Sequence, residues 1–356
     1  MHPTDVRPAR EPAPVRTGPR RRRGILALLA GLCCLASAGL TYLGLTELTT
    51  PSFPPAMSGP APVTPTAGAT SAHPARLGAV SWPADGFSAA DISGVGLVAG
   101  PGATRPVPIA SVAKLMTAYV LLHDHPLPAD GPGPEITVQP SEAAAYPAQV
   151  RDGDSLVPVT AGERLTERQV LAALLLPSAD NMAWILARWD AGSQAAFVAR
   201  MNTTAQRLGM TGTHYTDPSG LDQSTTSTAA DQVRLGAAAM RVPALAAITA
   251  MPAAVVPVAG MVRNTNTLLG QDGIAGLKTG STQAAGGCLL VAAWSQVGGR
   301  TTLIVAATFG QPGSAQTILP NALRAGHDLV LALDHALGAA AAAGRGPGQA
   351  MPVTSP

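Results

Sequence analysis

The sequence predicts an α+β domain, one antiparallel sheet flanked by helices, and three observations carry that prediction. Strand-like runs stand near both ends of residues 79–340, helical periodicity fills the middle, and a long hairpin signal lies close to the C-terminus. Order is expected from Val80-Ser81-Trp82 and then Gly94-Val95-Gly96-Leu97-Val98, two short runs separated by a polar turn. From Ser111 the period becomes helical, with Val112, Leu115, Met116, Tyr119 and Leu122 on one side. Thr166 and Gln169 form a capping box ahead of an apolar run, and Ser193 caps a helix that stops at Gly209. A further helix is expected from Thr228 to Met240. Strands follow over Ala253–Val258 and Ile274–Thr279, then a hairpin from Gly287 to Phe309 that turns at Gly298-Gly299. An amphipathic helix over Asn321–Leu337 closes the domain.

The segments around this domain have a different character. Of the 356 residues only 12% are charged, and the net charge of +2 hides a basic N-terminus. Residues 1–23 hold seven arginines against Asp5 and Glu11 and read as a cytoplasmic tail. Residues 24–45 contain no charge and are long enough to cross a bilayer as a helix, which predicts a signal anchor with the rest of the chain outside the cell membrane. Cleavage at Ala36-Ser37-Ala38 would instead release a secreted protein. Residues 46–78 are proline-rich and read as a disordered linker, and residues 341–356 as a disordered tail. Beyond Arg23 the balance is acidic, which argues against a nucleic-acid partner. Cys33, Cys34 and Cys288 match neither a disulfide framework nor a zinc spacing, so no metal and no cofactor is assigned.

Among 23 basic residues only Lys114 and Lys278 are lysine. An ammonium, unlike a guanidinium, can be brought near neutrality by burial or by a neighbouring cation and can then act as a base. Lys114 stands three residues after Ser111 at a helix start, which places a hydroxyl and an amine on one face. A serine hydroxyl becomes a useful nucleophile when such a base takes its proton. Lys278-Thr279-Gly280 ends a strand and offers a cation, a hydroxyl and an accessible backbone edge to a carboxylate. Ser178-Ala179-Asp180-Asn181 lies between two helical runs, where it serves either as a cap or as a third element that relays a proton and holds substrate.

In this order, and together with Asp217-Pro-Ser-Gly-Leu221 and Asn264-Thr-Asn-Thr-Leu268, these motifs resemble the penicillin-binding D-alanyl-D-alanine carboxypeptidases, which share the β-lactamase fold. The resemblance implies a peptidoglycan stem peptide as substrate and β-lactams as inhibitors. It implies that Ser111 is the nucleophile, Lys114 its base, and Ser178 the relay to the leaving amine. Lys278 and Thr279 would hold the terminal carboxylate beside Gly280, with the N–H groups of Ser111 and Ser281 as the oxyanion hole. Proximity of Lys278 is expected to help neutralise Lys114. The chain departs from the family's third motif, which has Asn two residues after its serine. Either Asp180 takes that substrate-binding place, the preferred reading, or the loop shifts so that Asn181 points inward. Class A β-lactamases deacylate with a Glu located after that motif, and here the last glutamate, Glu167, precedes it. An endopeptidase of the same family and a catalytically silent penicillin- or peptidoglycan-binding protein remain alternatives.

Overall fold

The computed structural model describes residues 77–343; the expected tail, anchor and proline-rich linker up to residue 76, and the segment from 344 onward, lie outside them. No helix among the described residues is long and apolar enough to cross a membrane. The chain opens with β1 (Phe87–Ile92), β2 (Gly96–Ala99) and β3 (Val107–Pro108), then a 3-10 turn at Ala110–Ala113 that runs into α1 (Lys114–Asp124). The middle holds β4 (Glu135–Thr137), α2 (Pro140–Asp152), β5 (Arg164–Thr166), α3 (Glu167–Leu175), α4 (Asp180–Ala191) and α5 (Gln194–Arg207). Next come β6 (Thr226–Ser227), α6 (Ala229–Ala239), α7 (Pro243–Thr249), β7 (Ala253–Val256) and β8 (Gly260–Arg263). Finally, β9 (Ile274–Thr282), β10 (Gly286–Val297), β11 (Arg300–Gln311) and α8 (Ile318–Ala343) complete the fold.

Five of the strands form one antiparallel sheet in the order β2-β1-β11-β10-β9. N- and C-terminal halves therefore meet at its centre, where Phe87 faces Phe309 and Ile92 faces Ile304. The sheet is buried on both faces. On one, Ile92, Leu289, Val291 and Ile304 pack against Leu329, Leu333 and Leu337 of α8. On the other, Leu290, Ala292, Val305 and Ala307 join the core built on α1, α3 and α4. Each fully buried Leu, Ile or Val contributes about 1.5–3 kcal/mol, and both faces leave β9 as an unpaired edge turned toward the helices.

Two expectations need correction, and one helix was not expected. Val80–Trp82 is irregular, and the first strand is Phe87–Ile92 instead. Its Ala89 and Ala90 are buried on opposite faces, so a central strand shows no alternation and carries a β-branched residue only at its end, Ile92. Helix α2 has no counterpart in the sequence reading because it buries no residue and carries Pro147 inside, so it lacks an apolar stripe. The C-terminal helix extends through Ala343, past the expected start of the tail at 341. The capping box at Thr166 and Gln169, the Ser193 cap and the hairpin turn between β10 and β11 are present.

Glu167 opens α3 with its side chain fully enclosed and neither carboxylate oxygen hydrogen-bonded. Burial pushes its pKa up to about 7 from 4.5. A raised carboxyl pKa means the folded state holds the proton more tightly, so this residue costs nothing below pH 4.5 and progressively more as pH rises to 7. The expected loss is about 1–3 kcal/mol. Thermal unfolding between pH 5 and pH 8 should show this decline, and Glu167→Gln should flatten it; an unchanged slope would contradict the assignment.

Candidate active site

Ser111 sits in the 3-10 turn, where three residues per turn eclipse positions i and i+3. That geometry, and not a regular α-helical start, brings Lys114 Nζ to 2.7 Å from Ser111 Oγ. Ser111 makes no helix-capping hydrogen bond. The preceding residue, Ala110, is held at φ +47, a conformation that costs a side-chain-bearing residue about 1–3 kcal/mol. Gly220 helps enforce it from behind. A Cβ there would lie 1.9 Å from Ala110 O, and φ +79 itself calls for glycine. From the front, Gly280 packs flat on the turn: its Cβ would fall 3.0 Å from Ile109 O, Ser111 N and Val112 N. The edge strand β9 thus runs directly past the nucleophile's backbone.

Lys114 is wholly buried and its three donors are all engaged, on Ser111 Oγ, on Asp180 Oδ1 at 2.7 Å and on Ser219 O at 3.1 Å. Burial pulls its pKa down, and Asp180 partly offsets the shift. The Asp180 carboxylate is fixed by a hydrogen bond from Ser155 N at 2.9 Å to its other oxygen. Lys278, equally enclosed, donates to Ser178 Oγ at 3.0 Å and to Thr279 O at 2.9 Å. Its pKa falls well below the ordinary lysine range, first through burial and then through the Lys114 ammonium. Repulsion between the two cations therefore weighs on Lys278; for Lys114 the dominant cause is burial. Ser178 is held at φ +69, a second strained non-glycine residue at this centre.

The structure brings Ser111, Lys114, Ser178, Asp180, Lys278, Thr279, Gly280 and the exposed Ser281 around one cleft. It does not bring Asn181 there. That amide donates to Val157 O at 2.8 Å and accepts from Val157 N at 3.3 Å, binding α4 to the segment that also supplies Ser155. Asn181 is therefore corrected from a substrate contact to a brace.

Two groups of residues gain roles that the sequence reading did not give them. Asp217 accepts hydrogen bonds from Ser219, Gly220 and Leu221 backbone N–H groups and from the Ser219 and Thr225 hydroxyls. It shapes the loop that presents Ser219 O to Lys114 Nζ. Thr117 ties α1 to the same loop through Pro218 O at 2.6 Å. Thr265 joins Thr279 Oγ1 at 2.6 Å and Leu176 O at 3.2 Å, linking β9 to the loop that carries Ser178. Both groups lie in motifs visible in the sequence, Asp217–Leu221 and Asn264–Leu268, but contact across the fold defines what they do.

Residues 94–310 match the family model for D-alanyl-D-alanine carboxypeptidase. The chain belongs to that family. Over 235 residues it is 36% identical to a D-alanyl-D-alanine carboxypeptidase of Mycobacterium tuberculosis, covering 64% of this chain and 75% of the relative. Over 192 residues it is 36% identical to a D-alanyl-D-alanine endopeptidase of Pseudomonas aeruginosa, covering 52% of this chain and 59% of that relative's length. The crystal structure of a Streptomyces DD-transpeptidase superposes with TM-score 0.62 at 24% identity, covering 71% of this chain and 99% of that one. A Mycobacterium tuberculosis D-alanyl-D-alanine carboxypeptidase structure gives TM-score 0.60 at 31% identity, covering 75% and 95%. The DD-peptidase fold is thus shared, and the relatives' names divide between carboxypeptidase and endopeptidase.

Proposed function

We propose that this member of the D-alanyl-D-alanine carboxypeptidase family is a serine DD-peptidase that removes the terminal D-alanine of peptidoglycan stem peptides through an acyl-enzyme on Ser111. The observation that carries this reading is the buried Lys114 Nζ, 2.7 Å from Ser111 Oγ, with its ammonium form disfavoured by burial. Lys114 takes the Ser111 proton as Oγ attacks the penultimate D-alanyl carbonyl. Backbone N–H groups of Ser111 and Ser281 receive the developing oxyanion, a contribution of about 3 kcal/mol per donor in other enzymes. Ser178, hydrogen-bonded to Lys278, returns a proton to the departing amine. Lys278 and Thr279 hold the carboxyl end, and Asp180 fixes Lys114. Water then hydrolyses the ester.

Benzylpenicillin should acylate Ser111 in the same way. Intact-mass spectrometry is expected to show a penicilloyl adduct on the wild type and none on Ser111→Ala; an unmodified wild type would refute the mechanism. The adduct should persist, because Glu167 lies under the loop at Leu127 and Gly133 at the start of α3 and offers no deacylating base. The second reading, cleavage of cross-links, is favoured by the endopeptidase names among the relatives. Release of D-alanine from a diacetylated Lys-D-Ala-D-Ala tripeptide, against release of monomers from cross-linked dimers, separates the two. Placement outside the membrane on an N-terminal anchor is part of the proposal, and fractionation that found the protein in the cytosol would refute it.

A further inference from the structure

Helix α2 buries none of its residues and carries Pro147 inside, so core packing does not explain its place. It is fixed all the same. Arg188 of α4 donates from Nε to Glu142 Oε1 at 2.6 Å, and from Nη2 to Glu142 Oε2 at 3.2 Å and to Thr137 O at 3.1 Å. The two helices are thus tied at one point with a space between them. That space, closed at one side by Gln194 at the start of α5, is a cavity of about 280 Å³. Pockets of ~300–1,000 Å³ hold drug-sized ligands, so this one is the size for a single substituted ring.

The chemistry of the walls narrows the ligand further. Two of the eight lining residues are charged, Glu142 and Arg188, and they neutralise each other. The remaining polar groups are neutral. Half-buried Trp184 supplies an indole face, and among the described residues the side chains of Ser141, Gln149, Trp184 and Gln194 make no hydrogen bond. Gln149 Oε1 is the sharpest case, enclosed and without a donor. An orphaned acceptor is costly, and turning this amide into the adjoining cavity relieves it where a ligand presents a donor. A charged ligand leaving water for this cavity meets no free countercharge, and a purely apolar one leaves the wall's polar groups unpaired. A neutral ring with C–H groups on its face and hydroxyl and amide substituents on its rim satisfies both the indole and the amides. N-acetylated amino-sugars have that chemistry.

We propose that the cavity between α2 and α4 binds an N-acetylated amino-sugar ring of the peptidoglycan glycan strand. The inference rests on the DD-peptidase reading and adds a contact for the far end of that substrate. Asn181 lines the cavity, and its neighbour Asp180 touches Lys114 Nζ at 2.7 Å. At about 1.5 Å of rise per residue, Trp184 and Arg188 stand ~6 and ~12 Å along α4 from Asp180. Three or four residues of extended stem span about 10–14 Å, so a sugar carrying a stem bound at Ser111 comes within range of the cavity. Nearness along α4 suffices for this; the two sites need share no opening. The ring belongs either to the sugar that carries the cleaved stem or to a neighbouring strand.

The test has two arms, both on the full-length chain. The first compares D-alanine release from a disaccharide-linked stem peptide with release from the same peptide without sugar, as a ratio of kcat/KM. The second measures binding of chitotetraose by calorimetry. Chitotetraose is expected to bind, and Trp184→Ala should weaken it at least tenfold. Gln149→Leu keeps the side chain's bulk, guards against misfolding of the tryptophan variant and should weaken binding at least threefold. Trp294→Ala, an exposed tryptophan outside the cavity, should leave binding unchanged. A ratio of about ten, carried by KM and erased in both cavity variants, supports the proposal with the stem's own sugar as the ring. A ratio near one beside Trp184-dependent chitotetraose binding supports it with a neighbouring strand as the source. Absence of both effects would overturn the proposal, and so would binding and ratio left intact in both cavity variants. If neither peptide is cleaved and penicillin leaves Ser111 unmodified, the DD-peptidase reading fails, and the chitotetraose titration still decides the cavity.

Discussion

Lys114→Ala should slow β-lactam acylation of Ser111 by at least about a thousandfold, within the ~10²–10⁴ range that a positioned general base supplies. Ser111 Oγ has Lys114 Nζ at 2.7 Å, and the loop held by Asp217 keeps that amine in place through Ser219 O. The same substitution strands the Asp180 carboxylate in a buried site, and breaking a buried pair this way costs about 3–5 kcal/mol. Lost rate and lost stability therefore need separating. The double variant Lys114→Met with Asp180→Asn removes both charges together, and its melting temperature should recover most of the loss. Its acylation rate should not recover. A labelled penicillin followed by rapid quench, alongside thermal unfolding, measures both. Acylation within tenfold of wild type in the folded double variant would remove Lys114 from the base role.

How much of this centre was readable beforehand depends on the scale of the interaction that defines each part. Lys114 and Lys278 stood out because the chain uses arginine nearly everywhere else, and each completes a short local motif. The antiparallel architecture was legible from the β10–β11 hairpin and from strands at both ends of the domain. What needed coordinates is what depends on rotation or on contact across the chain. Successive residues on a helix point about 100° apart, so Asp180 and Asn181 at the start of α4 cannot both face Lys114. Sequence could not say which one does. Ser219 acts through its carbonyl, and no residue type advertises that. Strand β1 was hidden because Ala89 and Ala90 carry too little side chain to show a period. The 3-10 turn at Ala110–Ala113 and an α-helix both put i and i+3 on one side, so the spacing from Ser111 does not distinguish them.

The exchange of a carboxylate for an amide at position 180 should show most clearly as a change in pH dependence. Acylation requires Lys114 to be neutral when Ser111 attacks, so the rate should climb as pH rises through the amine's titration. Three carboxylates and burial set where that happens. Asp180 touches Nζ, while Asp217 and Asp154 act at longer range, and all three favour the ammonium. Burial, which disfavours the ammonium, outweighs all three. Removing the closest carboxylate in Asp180→Asn withdraws support for the charged form, lowers the Lys114 pKa further and moves the acid limb of the acylation profile to lower pH. Asn181→Ala should leave that limb in place. It instead strands the Val157 backbone N–H and C=O inside the protein, a loss of about 1–3 kcal/mol in stability. Profiles of acylation rate from pH 5 to pH 9 for the two variants, with melting temperatures, give a crossed result if the assignment holds. An unmoved acid limb in Asp180→Asn, or abolished acylation in a folded Asn181→Ala, would reverse the roles of these neighbours.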